Sequence, residues 1–543
     1  MQNFTIIIFL LAVLLSLYAL IDKLKLPQPV LLVLVGLLIG FIPYFPNLVL
    51  DPDIIFLVVL PPLLFDAASH TSWLEFKTNF RQITTLGISL VFFTTLAVAV
   101  TAHYLIPEFS WPLAFLLGAI ISPPDAVASS GVIKGLGLNK RVISILEGES
   151  LINDASALIA YRYALAACIT GRFVFWKAGL QFLWIAGGGI SIGLLLGYVL
   201  ILLHKKIDNY PVVETGLSLL TPFLSYLAAE QLHCSGILAV VSTGMIISWR
   251  SQEIFSYETR MQSRIVWDTL IFLMNGFIFI LMGLQLPGIL KQLSGYSLSQ
   301  LIIYGLVISF ATILVRILWV FISASASTLT KKLRPNKNTT PQEATNNNFW
   351  KNVLVVSWTG TRGMVSMATA LALPLTLTDN KLFGQRELII FLCFVVIFVT
   401  LVVQGLSLPL LIRWLKINKT ENPDQEEKEL QLSILHSTLH FVKHNYPELD
   451  ESLRKKLVEK YEAEEKRLVS EIHIQVVNDK EEKQLSVTIS PLQEALMAIK
   501  RFQRELLLQL RKEGDFSDTA IREVERDMDI DELKLNQSLP KTE

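Results

Sequence analysis

The chain has 543 residues, of which 52% are hydrophobic and 17% are charged, and its 47 basic and 47 acidic residues cancel to a formal net charge of zero. Its mean hydropathy is +0.50. This composition excludes an ordinary soluble domain and favours a membrane protein. We therefore expect membrane lipid as a partner, and we expect no nucleic acid.

Charge is distributed unevenly along the chain. Residues 1–415 are mostly apolar runs, whereas residues 416–543 are dense in Glu, Lys and Arg. We therefore predict a transmembrane domain over 1–415 and a helical, charged cytoplasmic tail over 416–543. Each of the three cysteines lies in or beside an apolar run and forms no Cys-x-x-Cys pair, so we interpret Cys168, Cys234 and Cys393 as small hydrophobic residues.

Apolar runs recur along the first 415 residues. A membrane-spanning helix needs about 20 mainly apolar residues. Runs of this kind predict about thirteen transmembrane helices, near 2–21, 29–45, 53–68, 83–106, 111–133, 142–168, 178–203, 211–229, 234–249, 265–286, 299–326, 350–374 and 388–415. The first lacks a basic leader and a cleavage site, so we keep it as a membrane helix. The predicted fold is an all-α polytopic membrane protein.

Lysine and arginine are biased towards alternate connections between these runs. One set of connections carries seventeen of these residues and the other set carries five. Cytoplasmic loops are the ones enriched in Lys and Arg. This bias predicts a multi-pass protein of the cell (inner) membrane, with the amino terminus outside and the tail in the cytoplasm.

Two of the runs contain residues that interrupt helices. The fifth run contains Pro123 and Pro124, which remove backbone donors, and the twelfth contains Gly360 and Gly363 on either side of Arg362. The two runs are seven helices apart, as an inverted repeat would require. Broken helices in corresponding places of two halves indicate the midplane site of a transporter.

The sixth run carries the segment Glu-Gly-Glu-Ser-Leu-Ile-Asn-Asp-Ala at 147–155. Helical spacing places Ser150, Asn153 and Asp154 on one side, where their oxygens can converge on a small cation. An ionised side chain costs about 2.5 to 3.5 kcal/mol at the bilayer centre on insertion scales, so such residues usually mark an ion pathway, and we predict cation binding at Asp154 and Ser150. A hydrogen-bonded helix start near the membrane edge is the alternative.

Other charged residues in the apolar runs have less specific interpretations. Asp66 follows Pro61 and Pro62, and a site role and a scaffold role are equally well supported. Arg362 cannot release its proton, so it must find a carboxylate or carbonyl partner. Pairing or snorkelling explains Arg162 and Arg316.

The tail shows apolar residues at three- and four-residue spacing, which predicts helices, with breaks at Pro447 and Pro491. His436, His440 and His444 repeat every four residues and share one helix face. A solvated face is the expected interpretation, and a pH sensor or a metal site is the alternative.

Four motifs together resemble the monovalent cation:proton antiporters, specifically the bacterial sodium/proton exchangers of the NhaP kind. They are Leu-Pro-Pro-Leu-Leu-Phe-Asp-Ala-Ala at 60–68, Pro-Pro-Asp-Ala-Val-Ala at 123–128, Glu-Ser-Leu-Ile-Asn-Asp-Ala at 149–155 and Arg-Gly-Met-Val-Ser at 362–366. Their order and spacing are specific. The resemblance covers residues 1–415.

The resemblance implies a homodimer in which a six-helix transport domain contains two crossed broken helices, here the fifth and twelfth. It implies that cation and proton compete for Asp154, helped by Ser150 and by backbone near the fifth-helix break, and Asp125 is expected at the same cation and proton site. Asn153 before the aspartate implies electroneutral exchange of one cation for one proton. The resemblance also implies a Glu149–Arg362 ion pair, and it places Asp66 beside the cation site.

Two positions depart from the pattern of many relatives. Pro124 stands where they have threonine, so it supplies no hydroxyl ligand. Asp66 stands where they have the longer glutamate, which makes a water bridge to the cation plausible.

The resulting hypothesis is antiport of Na+, with Li+ or K+ as alternatives, against H+, without a cofactor, in pH and sodium homeostasis. An organic-anion transporter with Arg362 as its anchor and an ion channel are rivals. An intramembrane aspartyl protease is a third rival, disfavoured because the membrane domain lacks Gly-x-Gly-Asp.

Overall fold

The computed structural model describes most of the chain, namely residues 2–24, 28–42, 55–107, 109–125, 140–170, 175–207, 210–293, 295–333, 347–376, 383–415, 423–445, 451–473, 490–514 and 516–538. The chain divides into two compact units. One comprises Met1–Ile254 with Gln262–Asn418, and the other comprises Phe255–Met261 with Lys419–Glu543. The second unit therefore includes the first turn of a helix that composition alone assigns to the membrane domain.

Helices make up the first unit throughout its described residues. In chain order they are Gln2–Leu24, Gln28–Gly40, Ile55–Val59 with Leu60–His70, Trp73–Leu105, Trp111–Ile121, Lys140–Thr170, Phe175–His204, Pro211–Gln231, Gly236–Trp249, Ser251–Ile254, Tyr257–Gln292, Leu298–Leu333, Asn347–Trp358, Met364–Leu371 and Arg386–Leu415.

Six of the described helices are long and apolar enough to cross a membrane, and five shorter apolar helices accompany them. Large apolar side chains point away from the protein along these helices: Trp184, Leu195 and Phe310 are 77%, 65% and 66% exposed. Exposure of this kind suits lipid rather than water. The chain is therefore a multi-pass helical membrane protein.

Two long helices begin earlier than the apolar runs predict. The helix Trp73–Leu105 starts ten residues before the predicted run at 83, and Ser72 caps it by accepting a hydrogen bond from the Glu75 amide at 3.3 Å. The helix Tyr257–Gln292 likewise starts before residue 265. In both helices the first turns contain charged residues. These turns are helical but not apolar, so the search for apolar runs did not include them.

Both predicted breaks lie in non-helical backbone. The helix Trp111–Ile121 stops just before Pro123 and Pro124, and residues 122–125 are not helical. Asn347–Trp358 and Met364–Leu371 are two helices separated by residues 359–363. The rest of the fifth run, 126–133, lies outside the described residues, and so do Ala126, Val127 and Ala128 of its motif.

The apolar core of the first unit lies around these breaks. The largest buried cluster includes Leu32 of helix 28–40, Leu117 of helix 111–121, Ile280 of helix 257–292, Met367 of helix 364–371 and Leu392 of helix 386–415. Segments Ile55–Val59, Thr85–Ser89 and Leu401–Gly405 are π-helical, and such widened turns are frequent near functional sites. Gly87 in the second of them packs against Ile152, next to Asn153.

The described part of the tail consists of the helices Pro423–Asn445, Glu451–His473, Ser490–Glu513 and Asp518–Ser538. Two buried apolar clusters hold them together, one around Ile434 and Val524 and one around Leu439 and Tyr461. Pro491 occupies the start of its helix, where a missing backbone donor costs nothing. Pro447 lies outside the described residues.

Among the tail histidines, His436 of helix Pro423–Asn445 has a carboxylate partner on helix Glu451–His473. His436 is 80% exposed, and its Nδ1 lies 3.3 Å from a Glu465 oxygen. The side chain of His444 lies outside what the structure describes. Across the described ranges, no three His, Cys, Asp or Glu side chains are arranged to hold a metal ion.

Candidate cation and proton site

The two helix breaks are hydrogen-bonded to each other at Asp125. Its amide donates to the Thr361 carbonyl at 2.7 Å, and the Thr361 hydroxyl donates to the Asp125 carbonyl at 3.1 Å. The Asp125 carboxylate accepts from the Met364 amide at 3.2 Å, which caps the helix Met364–Leu371. Each break thus supplies the partners that the other break has lost.

Gly363 is required by this crossing. A Cβ atom built on it would overlap the Asp125 carboxylate. Its φ and ψ, −145° and −143°, are extended. The need for glycine here is therefore close approach and not an unusual backbone angle.

Arg362 joins the ends of both broken helices. Its Nε donates to the Ile121 carbonyl at 2.7 Å and its Nη1 donates to the Gly360 carbonyl at 2.6 Å. Both carbonyls can accept it because their usual helical donors, the amides of Asp125 and Met364, are engaged in the crossing. Arg362 is 1% exposed, so a fixed positive charge lies at the centre of the crossing.

Asp154 lies beside this crossing, on helix Lys140–Thr170. The preceding residue, Asn153, is fully buried, and its amide nitrogen donates to the Pro124 carbonyl at 3.3 Å. Asp154 is 9% exposed, and its charged neighbour is Asp125. Among the described residues, no hydrogen bond or ion pair neutralises the Asp154 carboxylate.

The chemistry of these groups fits a hard monovalent cation. Asn153 Oδ1 is buried and has no hydrogen-bond donor within the described ranges, so an acceptor oxygen remains next to the Asp154 carboxylate. Ser150 is half-buried one turn earlier on the same helix. Carboxylate, amide and hydroxyl oxygens are the ligands such cations prefer. Protonation of Asp154 is the alternative way to remove the same buried charge.

The predicted Glu149–Arg362 ion pair is wrong. Glu149 pairs with Arg316 instead. Arg316 Nη1 donates a hydrogen bond to Glu149 Oε1 at 2.5 Å, Nη2 donates to Oε2 at 3.1 Å, and both side chains are buried. Arg316 also donates to the Val356 carbonyl at 3.2 Å. Arg316 of helix Leu298–Leu333 lies against Glu149. Arg362 instead donates its hydrogen bonds to the Ile121 and Gly360 carbonyls at the helix breaks.

Among the described residues, Asp66 has local partners only. One of its carboxylate oxygens lies 3.4 Å from His70 Nδ1, one turn later on the same helix. No hydrogen bond or ion pair between described residues joins Asp66 to Asp154 or Asp125. The structure thus brings Asp125, Asn153 and Asp154 together, and it leaves a direct role of Asp66 at the cation as a prediction.

Sequence reasoning offered pairing or snorkelling for Arg162 and did not identify a partner for it. Arg162 Nη2 lies 2.6 Å from Glu230 Oε1, and this oxygen also accepts the Gly236 amide at 3.2 Å. Arg162 is on the helix of Asp154, and Glu230 ends helix Pro211–Gln231. The position of Arg162 in an apolar run indicated that it needs a partner. Sequence spacing does not show which carboxylate lies opposite it.

The fold and this geometry define a class of protein. Two interrupted helices that meet beside a buried, uncompensated carboxylate in a multi-pass membrane protein are the architecture of a secondary active transporter. The sequence matches the family model described as "Sodium/hydrogen exchanger, transmembrane" over residues 9–414. The chain therefore belongs to the sodium/hydrogen exchanger family, and it is a transporter for cation/proton antiport and not an enzyme.

Similar proteins agree with this assignment. An uncharacterised Na(+)/H(+) exchanger of Mycobacterium tuberculosis is 33% identical over 524 residues, covering 93% of this chain and 91% of that protein. The sodium, potassium, lithium and rubidium/H(+) antiporter of Bacillus pumilus is 34% identical over 71% of this chain and 57% of its own length. The sodium proton antiporter of Methanocaldococcus jannaschii matches in structure with a TM-score of 0.59 at 22% identity, over 78% of this chain and all of that one.

Proposed function

We propose that this protein exchanges one Na+ for one H+ and that both compete for the Asp154 carboxylate. In the deprotonated state Asp154 binds the cation, with Ser150 and the Asn153 amide oxygen as further ligands. Protonation of Asp154 removes the charge that holds the cation and releases it. The downhill ion supplies the energy, and the cycle uses no ATP, cofactor or covalent intermediate.

The charge of the buried cluster is the observation that carries this proposal. Arg316 and Arg362 contribute two fixed positive charges, and Glu149, Asp125 and deprotonated Asp154 contribute three negative ones. Among the described charges of this cluster, one negative charge therefore remains, which one monovalent cation or one proton can neutralise. Either occupant leaves the cluster neutral, and a cluster of constant charge favours electroneutral exchange.

Alternating exposure of Asp154 to the two sides would couple the fluxes. Helix 140–170 carries Asp154 and packs with helices 73–105 and 111–121, which supports their moving together as a transport domain. We infer that Asp125 mainly positions the crossing. Asp66 would act near the cation through water.

The proposal also covers the transported cation, the oligomeric state and the membrane in which the protein works. Na+ is the expected substrate, with Li+ and K+ as alternatives; the Bacillus pumilus relative is named for sodium, potassium, lithium and rubidium. We propose a homodimer in the cell (inner) membrane, with the amino terminus outside and the tail in the cytoplasm. Its role would be pH and sodium homeostasis.

Dissipation of a pH gradient in proteoliposomes tests the exchange. Adding Na+, Li+ or K+ to purified wild-type protein should dissipate the gradient with saturation, and Asp154→Asn should abolish the response. Asp268→Asn is a matched control, because Asp268 is exposed and has no ion pair within the described ranges. Exchange that survives in folded Asp154→Asn protein would refute Asp154 as the shared carrier.

An imposed membrane voltage tests stoichiometry separately. Gradients of the permeant anion thiocyanate, in the absence of K+, would set voltages of either sign while the Na+ and H+ gradients stay fixed. One-for-one exchange should proceed at the same rate at each voltage. A rate that follows the voltage would overturn electroneutrality and leave the identity of the carrier untouched.

A further inference from the structure

Helix 386–415 contacts both halves of the second broken helix. Its residues before the π-turn Leu401–Gly405 pack against helix 364–371, and its residues after that turn pack against helix 347–358. The π-turn therefore lies at the level of the non-helical residues 359–363. Widened turns of this kind are frequent at functional sites, so the contacts on either side of it are of interest.

Thr400, immediately before the π-turn, binds the backbone of the break. Its hydroxyl oxygen accepts a hydrogen bond from the Arg362 amide at 3.0 Å, and the hydroxyl itself donates to the Ile397 carbonyl at 3.1 Å. A backbone amide can only donate, so Thr400 is the acceptor, and the bond to Ile397 uses its one proton. Thr400 and Arg362 are 0% and 1% exposed. An amide that lost this acceptor would be buried without a partner, which is costly.

Ser407, after the π-turn, makes the corresponding contact with the other half of the broken helix. Trp358 is the last residue of helix Asn347–Trp358, and its Nε1 donates to the Ser407 hydroxyl oxygen at 2.8 Å. The Ser407 hydroxyl donates in turn to the Val403 carbonyl of the π-turn. Hydroxyl groups on both sides of the π-turn thus hold the broken helix on both sides of its break.

The peptide group that Thr400 binds also holds Asp125. The Arg362 amide and the Thr361 carbonyl belong to one planar trans peptide, so they point in opposite directions. The Thr361 carbonyl accepts the Asp125 amide at 2.7 Å. Rotation of this peptide group would lose both bonds. The Thr400 hydroxyl therefore fixes the orientation on which the crossing of the two breaks depends.

We propose that Thr400 is a positioning residue of the cation site, which acts through the peptide group between the second break and Asp125. This inference rests on the proposed binding of Na+ at Asp154. Without the hydroxyl the peptide group can rotate and displace Asp125 and the adjoining Pro124 carbonyl, which accepts the Asn153 amide at 3.3 Å. The cation needs this arrangement and the empty site does not, so the apparent affinity falls with the fraction of molecules whose crossing is intact.

Full-length Thr400→Val protein tests this role in proteoliposomes. Valine keeps the shape of threonine but lacks the hydroxyl, so half-saturating Na+ for pH-gradient dissipation should rise about tenfold, the size expected when one buried donor loses its acceptor. Thr400→Ser keeps the hydroxyl and should restore the wild-type value. Thr312→Val is the matched control, because Thr312 is 1% exposed and, within the described ranges, its hydroxyl bonds only to the Ile308 carbonyl of its own helix.

Thermal unfolding in detergent gives a second measurement that does not depend on transport. A cation that binds the folded protein raises its Tm. At a Na+ concentration that stabilises the wild-type protein, Tm should rise less in Thr400→Val, and it should rise as in the wild type in Thr400→Ser and Thr312→Val. Thr400→Ala removes the hydroxyl without adding volume, so it should agree with Thr400→Val and replaces it if the valine variant does not fold.

A purely structural role of Thr400 would give a different result. It would lower the Tm of Thr400→Val in Na+-free buffer but leave half-saturating Na+ and the Na+-induced rise in Tm unchanged, which would overturn the proposal. A serine variant as impaired as the valine variant would also overturn it, since the hydroxyl would not be the cause.

Failure of the proposed function would look different again. Wild-type protein that is stabilised by Na+ but exchanges none would refute the proposed exchange, and the Na+-induced rise in Tm would still report on Thr400. Wild-type protein that shows neither exchange nor stabilisation by Na+ would refute both proposals.

Discussion

Arg316 and Glu149 form a two-pronged ion pair in which each carboxylate oxygen receives its own guanidinium nitrogen, at 2.5 and 3.1 Å. Both residues are buried, at 1% exposed. Because Arg316 also reaches the Val356 carbonyl, one side chain joins helix 298–333 to helix 140–170 and to the helix before the second break. The ion pair thus fixes helix 140–170 about one and a half turns before Asp154.

Breaking this pair should destabilise the protein. Glu149→Gln leaves a buried, uncompensated guanidinium, for which we expect a loss of about 3 to 5 kcal/mol in the free energy of unfolding. Thermal unfolding in detergent would measure it. Arg162→Ala is the comparison, because its pair with Glu230 is 41% and 31% exposed and should contribute at most about 1 kcal/mol. Equal losses in the two variants would contradict the assigned difference in burial.

Gly363→Ala should disable exchange. The added Cβ would overlap the Asp125 carboxylate and push the two breaks apart. A misplacement of about 1 Å near a reacting group can cost roughly 100-fold in rate, so we expect a loss of that order in pH-gradient dissipation. Gly216→Ala, at a glycine with nothing within 4 Å, should exchange normally. Normal exchange by Gly363→Ala would show that the crossing tolerates separation.

Asp125→Asn should weaken cation binding without unfolding the site. An asparagine oxygen can still accept the Met364 amide, but the negative charge next to Asp154 is lost. Loss of a nearby charge in a partly buried site is worth about 1 to 2 kcal/mol, so half-saturating Na+ should rise roughly 5- to 30-fold. Concentration dependence in proteoliposomes would measure it. An unchanged half-saturating concentration would indicate that Asp125 serves the crossing alone.

The Arg162–Glu230 pair should act as a unit in the transport cycle. It connects the helix of Asp154 to helix 211–231, so movement between the two would break it. Arg162→Ala should therefore shift half-saturating Na+ about fivefold by changing the populations of the two states, and Glu230→Gln should do the same. The double variant should be no worse than either one. Additive effects would mean that the residues act separately.

Local sequence patterns predicted much of the architecture for physical reasons. Apolar runs of spanning length must form helices in lipid, where backbone groups have no other partners. Pro123, Pro124 and Gly363 predicted interruptions because they remove donors or permit close approach. Asp154 was predicted as the carrier because an ionised group in such a run is costly. The early starts at Trp73 and Tyr257 were missed, since those turns are amphipathic and not apolar.

Pairing between distant residues was decided only by the tertiary structure. By itself the sequence determined that buried charges must be neutralised, but not by which partner, because spacing along one helix says nothing about the face of another. Arg316 rather than Arg362 therefore pairs with Glu149, and Arg162 pairs with Glu230 of another helix. The sequence alone thus determined the helices, their interruptions and the costly carboxylate at Asp154. The tertiary structure decided which of the described charges compensate each other, and among these it gives the Asp154 carboxylate no positively charged partner.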